Sequence, residues 1–129
     1  MCFLKGEKNI LGTELISCST EPITGFHRDG FCNSFANDYG EHTVCAKLTN
    51  KFLMFSKELG NDLITPRPEY EFPGLKEGDR WCLCADRWLQ AYNFNVAPYI
   101  ILEATHNSLL KKITFNELKK YSTEYKNIN

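Results

Sequence analysis

This 129-residue chain contains six cysteines, a residue type that can act as a nucleophile, bind a metal or form a disulfide. A thiol becomes a nucleophile when a helix N-terminus or a cationic neighbour favours the thiolate. Cys84 lies just before a predicted helix and close to Arg87, and Cys32 follows a short charged turn. These two are therefore the candidate reactive thiols, and His42 or His106 could act as the base of such a reaction.

The cysteine spacing argues against a metal site. Structural zinc sites commonly use two cysteines separated by two to four residues, because a tight turn then brings both sulfurs to one ion. The sequence has no such pair, and Cys82 and Cys84 would lie roughly 6.5 Å apart along a strand. A cluster of Cys18, Cys32 and His42, assembled by loop folding, stays open as an alternative. No metal and no cofactor are expected.

Composition narrows the class of protein. The charged stretch at residues 1–8 leaves no room for the apolar core of an export signal. No apolar run reaches the roughly 20 residues that span a bilayer. A formal net charge of −1 gives no general attraction for phosphates. We therefore expect a cytoplasmic protein with reduced cysteines, whose partner is a small molecule or a protein and neither nucleic acid nor a membrane.

Capping signals predict two helices, and the apolar spacing within residues 85–93 predicts a third. Thr49 can cap a helix whose apolar stripe ends at Gly60, a residue that tolerates the left-handed conformation of a helix end. Thr114 and Glu117 form a capping box further along the chain. The three predicted helices span about residues 50–59, 85–93 and 115–121.

Three apolar segments, residues 42–48, 80–85 and 98–104, have the composition of strands. The predicted order is strand, helix, loop, strand, helix, strand and helix, which fits an α+β two-layer sandwich with helices on one face of a short sheet of three or more strands. A small doubly wound α/β sheet is the alternative. We expect one domain over residues 1–129, with its core at about 9–121 and a frayed tail at 122–129.

Two long stretches, residues 12–40 and 61–79, lack clear periodicity. Irregular segments longer than about 12–15 residues are uncommon in compact domains and are often functional. Both stretches carry aromatic and apolar residues, so we expect them to be ordered and to lie against the sheet. A binding or catalytic site would then be built from them.

Several segments resemble a bacterial family known as domain of unknown function 2237. The strongest is residues 72–85, FPGLKEGDRWCLCA, and residues 18–26, CSTEPITGF, also match. The resemblance extends over about residues 9–121 and implies a two-layer α+β fold without implying an activity. The further matching segments are residues 28–30, 40–45, 52–56, 60–63, 65–66, 87–88, 97–98 and 103–106.

Polar residues of these matching segments lie mostly on the two long loops. If the fold brings them together, they form one cleft, and its predicted members are Arg28, Asp29, His42, Asn61, Asp62, Asp79, Arg80 and His106. A ligand-binding or interaction domain is the leading hypothesis for the function. A small enzyme that uses a cysteine or histidine of this cleft and a metal-stabilised structural domain are the alternatives. No glycine-rich phosphate loop or Gly-x-Ser-x-Gly motif supports a more specific enzyme class.

Overall fold

The computed structural model describes residues 3–122, and its architecture confirms the α+β class. None of the helices among these residues is long and apolar enough to cross a membrane. Apart from Ser122, the predicted frayed tail lies outside the described residues. The strands are β1 (Phe3–Lys8), β2 (Glu14–Ile16), β3 (Val44–Lys47), β4 (Arg80–Leu83) and β5 (Tyr99–Ile100), and the helices are α1 (Asn50–Glu58), α2 (Ala85–Asn93) and α3 (Phe115–Leu118).

The central sheet has three antiparallel strands in the order β4-β3-β5. Because side chains alternate between the two faces of a strand, the register sets which residues share a face. Val44 lies opposite Leu83 on the face that carries the main apolar core, and Cys45 lies opposite Cys82 on the other face. The two faces are therefore covered by different parts of the chain.

Helices α1 and α2 cover the first face of the sheet. Phe52 and Leu53 of α1 and Trp88 of α2 are buried in the same core cluster as the strand residues. The indole Nε1 of Trp88 donates a hydrogen bond to the carbonyl of Pro98 at 3.2 Å, so the one polar atom of this large side chain is satisfied. This packing holds the start of α2 at the end of β4.

The second face is covered by the loop that follows β2, which two disulfides attach to the sheet. Cys18 is bonded to Cys45, with Cα atoms 5.6 Å apart, and Cys32 is bonded to Cys82, with Cα atoms 5.2 Å apart. The prediction of reduced cysteines is therefore wrong for these four residues. Burial alone does not distinguish a small apolar thiol from a bonded one. The pairing depends on the cross-strand register, which the sequence does not display.

The local signals located the helices well and the strands less well. Thr49 accepts a hydrogen bond from the Phe52 N–H, and Thr114 accepts one from the Glu117 N–H, as the capping signals predicted. Helix α3 is shorter than predicted and continues as a 3-10 turn, Lys119–Tyr121. The predicted strand at 98–104 pairs only over β5 and then forms the 3-10 turn Leu102–Ala104.

The hairpin of β1 and β2 was not predicted. Its strands are short, and their register is interrupted by a bulge between Leu4 and Lys8, which breaks the alternation of apolar and polar residues. Beyond the bulge, the side-chain amide of Asn9 donates to Thr13 and to the carbonyl of Glu103. Asn9 is buried, so these bonds attach the hairpin to the rest of the domain.

Candidate functional site

A concave surface between the two long loops is the candidate site, and we call it the arginine cleft. It has two adjoining parts, with volumes of about 310 Å³ and 260 Å³, which share His42, Leu63, Trp81 and Cys82. Three arginines line it. The first part contains Arg28 and Arg67 with Tyr70 and Phe72, and the second contains Asn61, Cys84 and Arg87.

Arg28 is held against the aromatic floor of the cleft. Its guanidinium carbon lies 5.1 Å from the ring centre of Trp81, within the range of a cation–π contact. Its Nη1 donates to the carbonyl of Gly25 at 2.7 Å. Gly25 has φ +102°, and a Cβ there would lie 2.6 Å from the carbonyl oxygen of Phe31, so only glycine fits this turn. The turn therefore fixes the position of the Arg28 side chain.

Arg67 comes from a short loop that closes on itself. The backbones of Arg67 and Phe72 exchange two hydrogen bonds, at 2.8 Å and 3.0 Å, on either side of the 3-10 turn Pro68–Tyr70. The Phe72 ring meets Trp81 edge-on at 5.4 Å. Within residues 3–122, the Arg67 guanidinium makes no hydrogen bond or ion pair. Its donors are therefore available to a ligand.

His42 is oriented by a buried carboxylate. Asp38 accepts from the backbone N–H of His42 and contacts its ring Nδ1, both at 2.8 Å. The side chain of Asp38 is 1% exposed, whereas that of His42 is 41% exposed and lines both parts of the cleft. When Nδ1 carries the proton donated to Asp38, Nε2 is left as an acceptor for a group in the cleft.

Cys84 places a free thiol in the second part of the cleft. It is the residue before the first turn of α2, and its side chain makes no capping hydrogen bond. The N–H of Ala85 donates to the carbonyl of Glu41 at 2.9 Å, so this end of α2 is attached to the segment that leads into His42. The thiol and the imidazole therefore line the same small space.

The cleft is cationic although the chain as a whole carries a formal charge of −1. Arg28, Arg67 and Arg87 line it together with His42, and no aspartate or glutamate is among the described residues that line it. Arg87 also donates to Gln90 at 3.4 Å, a long bond that leaves most of its donors available. Charge and shape thus both suit an anion.

The chain matches a known protein family. A family model described as "Uncharacterized protein conserved in bacteria (DUF2237)" matches residues 8–122. The chain belongs to this family. Membership confirms the resemblance carried by residues 72–85 and the other matching segments. No curated protein matches the chain. The family description names no activity, so the function must be argued from the cleft.

Four of the residues singled out from the sequence lie together in this family member. Arg28, His42, Asn61 and Cys84 line the arginine cleft. Cys32 does not provide a reactive thiol, because it is bonded to Cys82 and fully buried.

The other predicted members of the cleft are placed elsewhere. Asp29 accepts from the Phe31 N–H in a local turn. Asp79 binds Lys76 beside a separate pocket. Arg80 is exposed at the start of β4, opposite Lys47.

Asp62 and His106 have local structural contacts. Asp62 accepts hydrogen bonds from the hydroxyl and N–H of Thr65 and from the Ile64 N–H, which lower its pKa to about 2. His106 is buried, with Nε2 2.9 Å from a carboxylate oxygen of Glu7 and Nδ1 accepting from the Ser108 N–H. Neither lines the arginine cleft.

The cleft predicted from the sequence did not include Asp38, Arg67 or Arg87. Asp38 lies four residues before His42, a spacing that could have suggested an aspartate–histidine pair. Arg87 was noted only as a neighbour of Cys84. Arg67 has prolines on both sides, which predicts a turn and gives no indication of where its side chain lies.

Proposed function

We propose that this protein binds a small anionic molecule that carries a flat ring in the arginine cleft. The observation that supports the proposal is the concentration of three arginines and one histidine in a cleft whose described lining contains no carboxylate. Arginine presents a planar fork of donors that matches phosphate and carboxylate groups. The anionic group of the ligand would meet Arg67, whose guanidinium has no partner within residues 3–122.

The aromatic side chains supply the second half of the recognition. Trp81, Phe72 and Tyr70 line the part of the cleft that also contains Arg28 and Arg67. A flat ring can pack against the exposed Tyr70 and the half-buried Phe72, and the contact is worth about 0.5–1.5 kcal/mol beyond area burial. This part of the cleft has a volume of about 310 Å³, which suits a molecule of one or two rings.

Isothermal titration calorimetry with phenyl phosphate tests this proposal. We expect phenyl phosphate to bind more tightly than inorganic phosphate or phenol, since neither of these occupies both halves of the cleft. Affinity should fall as salt rises, because exposed charges are screened. If phenyl phosphate does not bind measurably, the proposal is wrong.

A pair of arginine variants locates the binding. Arg67→Gln removes a charge-assisted hydrogen bond worth about 1.5–3 kcal/mol, so the affinity should fall on the order of tenfold to 150-fold. Arg80→Gln is the matched control, because Arg80 is exposed on β4 and does not line the cleft. Equal losses in the two variants would indicate general electrostatics and contradict a site in the cleft.

We propose a thiol-dependent reaction as the second candidate function. It rests on the position of Cys84 and His42 in the same part of the cleft, with Asp38 orienting the imidazole. In such a reaction Nε2 of His42 would take the thiol proton, and the thiolate would form a bond to an electrophilic carbon of a ligand held by the arginines. The bond from that carbon to its leaving group would break, and His42 would return the proton to the leaving group. In this second candidate the protein is a small enzyme, and its reaction takes place in the same arginine cleft.

The rate at which iodoacetamide alkylates Cys84 tests the second candidate. If His42 acts as the base, His42→Gln should slow the alkylation about tenfold or more. His27→Gln is the matched control, because His27 is exposed and does not line the cleft. An unchanged rate in His42→Gln would remove the support for thiol catalysis.

We also propose that the protein acts in the cytoplasm. Its partner would be a small molecule or a protein, and it would bind neither nucleic acid nor a membrane. The formal net charge of −1 supports this choice of partners. Cytosolic disulfides are usually catalytic or redox-sensing, so the two bonds seen here would change with the redox state of the cell. Cell fractionation tests the location, and recovery outside the cytoplasmic fraction would contradict it.

A further inference from the structure

Three cysteine sulfurs lie close together at one buried place behind the central sheet, and a fourth is bonded to one of them. The sulfurs of Cys18, Cys32 and Cys82 all lie within 4.8 Å of one another, and the sulfur of Cys45 is bonded to that of Cys18. Each of these residues is buried. Two disulfides in a domain of this size need not lie near each other, so the closeness of these two is a specific property of this fold.

The backbone around the four sulfurs is held by bonds that do not depend on the disulfides. Cys45 and Cys82 lie directly opposite each other on β3 and β4. Their N–H groups donate to the hydroxyls of Thr105 and Thr24, at 3.0 Å and 2.9 Å. On the loop, the Cys18 N–H donates to the carbonyl of Gly30 at 2.7 Å. Opening the disulfides therefore leaves the four side chains close together.

We propose that reduction of both disulfides converts this cluster into a four-cysteine site for zinc. Each disulfide takes two electrons and two protons from a dithiol reductant and becomes two thiols, while the reductant becomes a disulfide. Zn²⁺ then binds four thiolates and releases four protons. The same four cysteines would therefore have two states. In the oxidised state they form two disulfides, and in the reduced state they bind zinc.

The distances suit this ion. Zinc binds thiolate sulfurs at about 2.3 Å in a tetrahedron, which places the sulfurs roughly 3.8 Å apart. The three sulfurs of Cys18, Cys32 and Cys82 already lie within 4.8 Å of one another. Reduction lets each bonded pair separate to the same spacing. The expectation of no metal rested on the lack of closely spaced cysteines, and the fold supplies the proximity that the spacing lacks.

The site is distinct from the proposed ligand site but touches it. Cys82 lines the arginine cleft, and its backbone follows that of Trp81 on β4. Four thiolates and one Zn²⁺ carry a net charge of −2, which the arginines of the cleft would partly compensate. The redox state of the cluster would therefore alter the charge beneath the cleft, whether or not the cleft binds an anion.

Metal titration under anaerobic conditions tests the proposal. Protein reduced with a phosphine and then freed of it should bind one equivalent of Co²⁺ with the absorption bands of tetrahedral thiolate coordination, and Zn²⁺ should displace it. The oxidised protein should bind none. The double variant Cys2→Ser, Cys84→Ser is the matched control, because it removes two thiols and keeps the cluster. It should bind one equivalent as the wild type does.

Two further measurements on the wild-type protein test the ligand set and the fold of the loaded state. The ¹¹³Cd chemical shift of the reduced wild type should fall in the range of four thiolate ligands, and circular dichroism should show the reduced, metal-loaded protein to be folded. A shift typical of fewer sulfurs, an unfolded loaded protein, or loss of binding in the Cys2→Ser, Cys84→Ser variant would each overturn the proposal. So would equal binding by the oxidised protein.

Discussion

Replacing Thr24 with valine removes the acceptor of a buried backbone N–H without changing the size of the side chain. Thr24 is 0% exposed, and its hydroxyl accepts from the Cys82 N–H at 2.9 Å. Cys82 belongs to the edge strand β4, so no further strand of the central sheet satisfies this donor. The threonine hydroxyl takes the place of a neighbouring strand at this point.

The magnitude follows from the burial of the donor. A buried N–H left without a partner costs about 1–3 kcal/mol. The extra methyl group of valine returns up to about 0.8 kcal/mol through apolar burial. We therefore expect Thr24→Val to lower the free energy of unfolding by about 1 kcal/mol, the middle of a range of about 0.2–2.2 kcal/mol. Surface substitutions usually change it by less than about 0.5 kcal/mol, so the effect is measurable.

Urea unfolding of the oxidised protein, followed by tryptophan fluorescence, measures this difference. Thr20→Val is the matched control, because Thr20 is exposed on the same loop. The midpoint should move to lower urea, by roughly 1 M for a typical dependence on denaturant, and the slope should stay unchanged. If Thr24→Val is as stable as Thr20→Val, the hydroxyl does not complete the edge of the sheet, and the reasoning is refuted.

Three further predictions concern the cysteines, a helix cap and one carboxyl group. Mass spectrometry after alkylation of denatured, unreduced protein should show Cys84 modified and the four bridged cysteines protected; modification of the four would contradict the disulfides. Thr49→Ala should lower the free energy of unfolding by about 0.5–2 kcal/mol in the same urea assay, because the Phe52 N–H loses its cap, and Thr49→Ser should restore most of it. The pKa of Asp62 is lowered to about 2, so its hydrogen bonds stabilise the folded state above pH ~4 and are lost as the pH falls towards 2. Carbon NMR should show that Thr65→Val raises this pKa, and an unchanged midpoint would contradict the assigned cause.

Local chemistry explains the elements that could be predicted from the sequence. Helix α1 begins after Thr49 and ends before Gly60, which has φ +94°, because caps act on backbone groups within one turn. Helix α2 has the predicted bounds of 85–93 although no side chain caps its start, because the helical spacing of its apolar residues is itself a local pattern. The segment 98–104 shows the limit of this reasoning. Its β-rich composition predicted a strand of seven residues, but only Tyr99 and Ile100 pair with β3.

Part of the candidate site was also visible in the sequence. Arg28, His42 and Asn61 were singled out as polar residues of the segments that resemble the family, and Cys84 because it precedes a predicted helix. The fold brings these four residues to one cleft. The same criteria also selected Asp29, which serves a local turn, because residue type alone does not separate a ligand contact from a local hydrogen bond.

The tertiary structure decided which cysteines meet and which cations share the cleft. The bonded cysteines are 27 and 50 residues apart, so their pairing depends on the register of β3 against β4 and on the path of the loop after β2. Arg67 reaches the cleft only because its loop closes on Phe72. By itself the sequence determined the residue types, the helix ends and the family. Proximity between distant residues is a property of the packed chain, because it depends on contacts that no local pattern encodes.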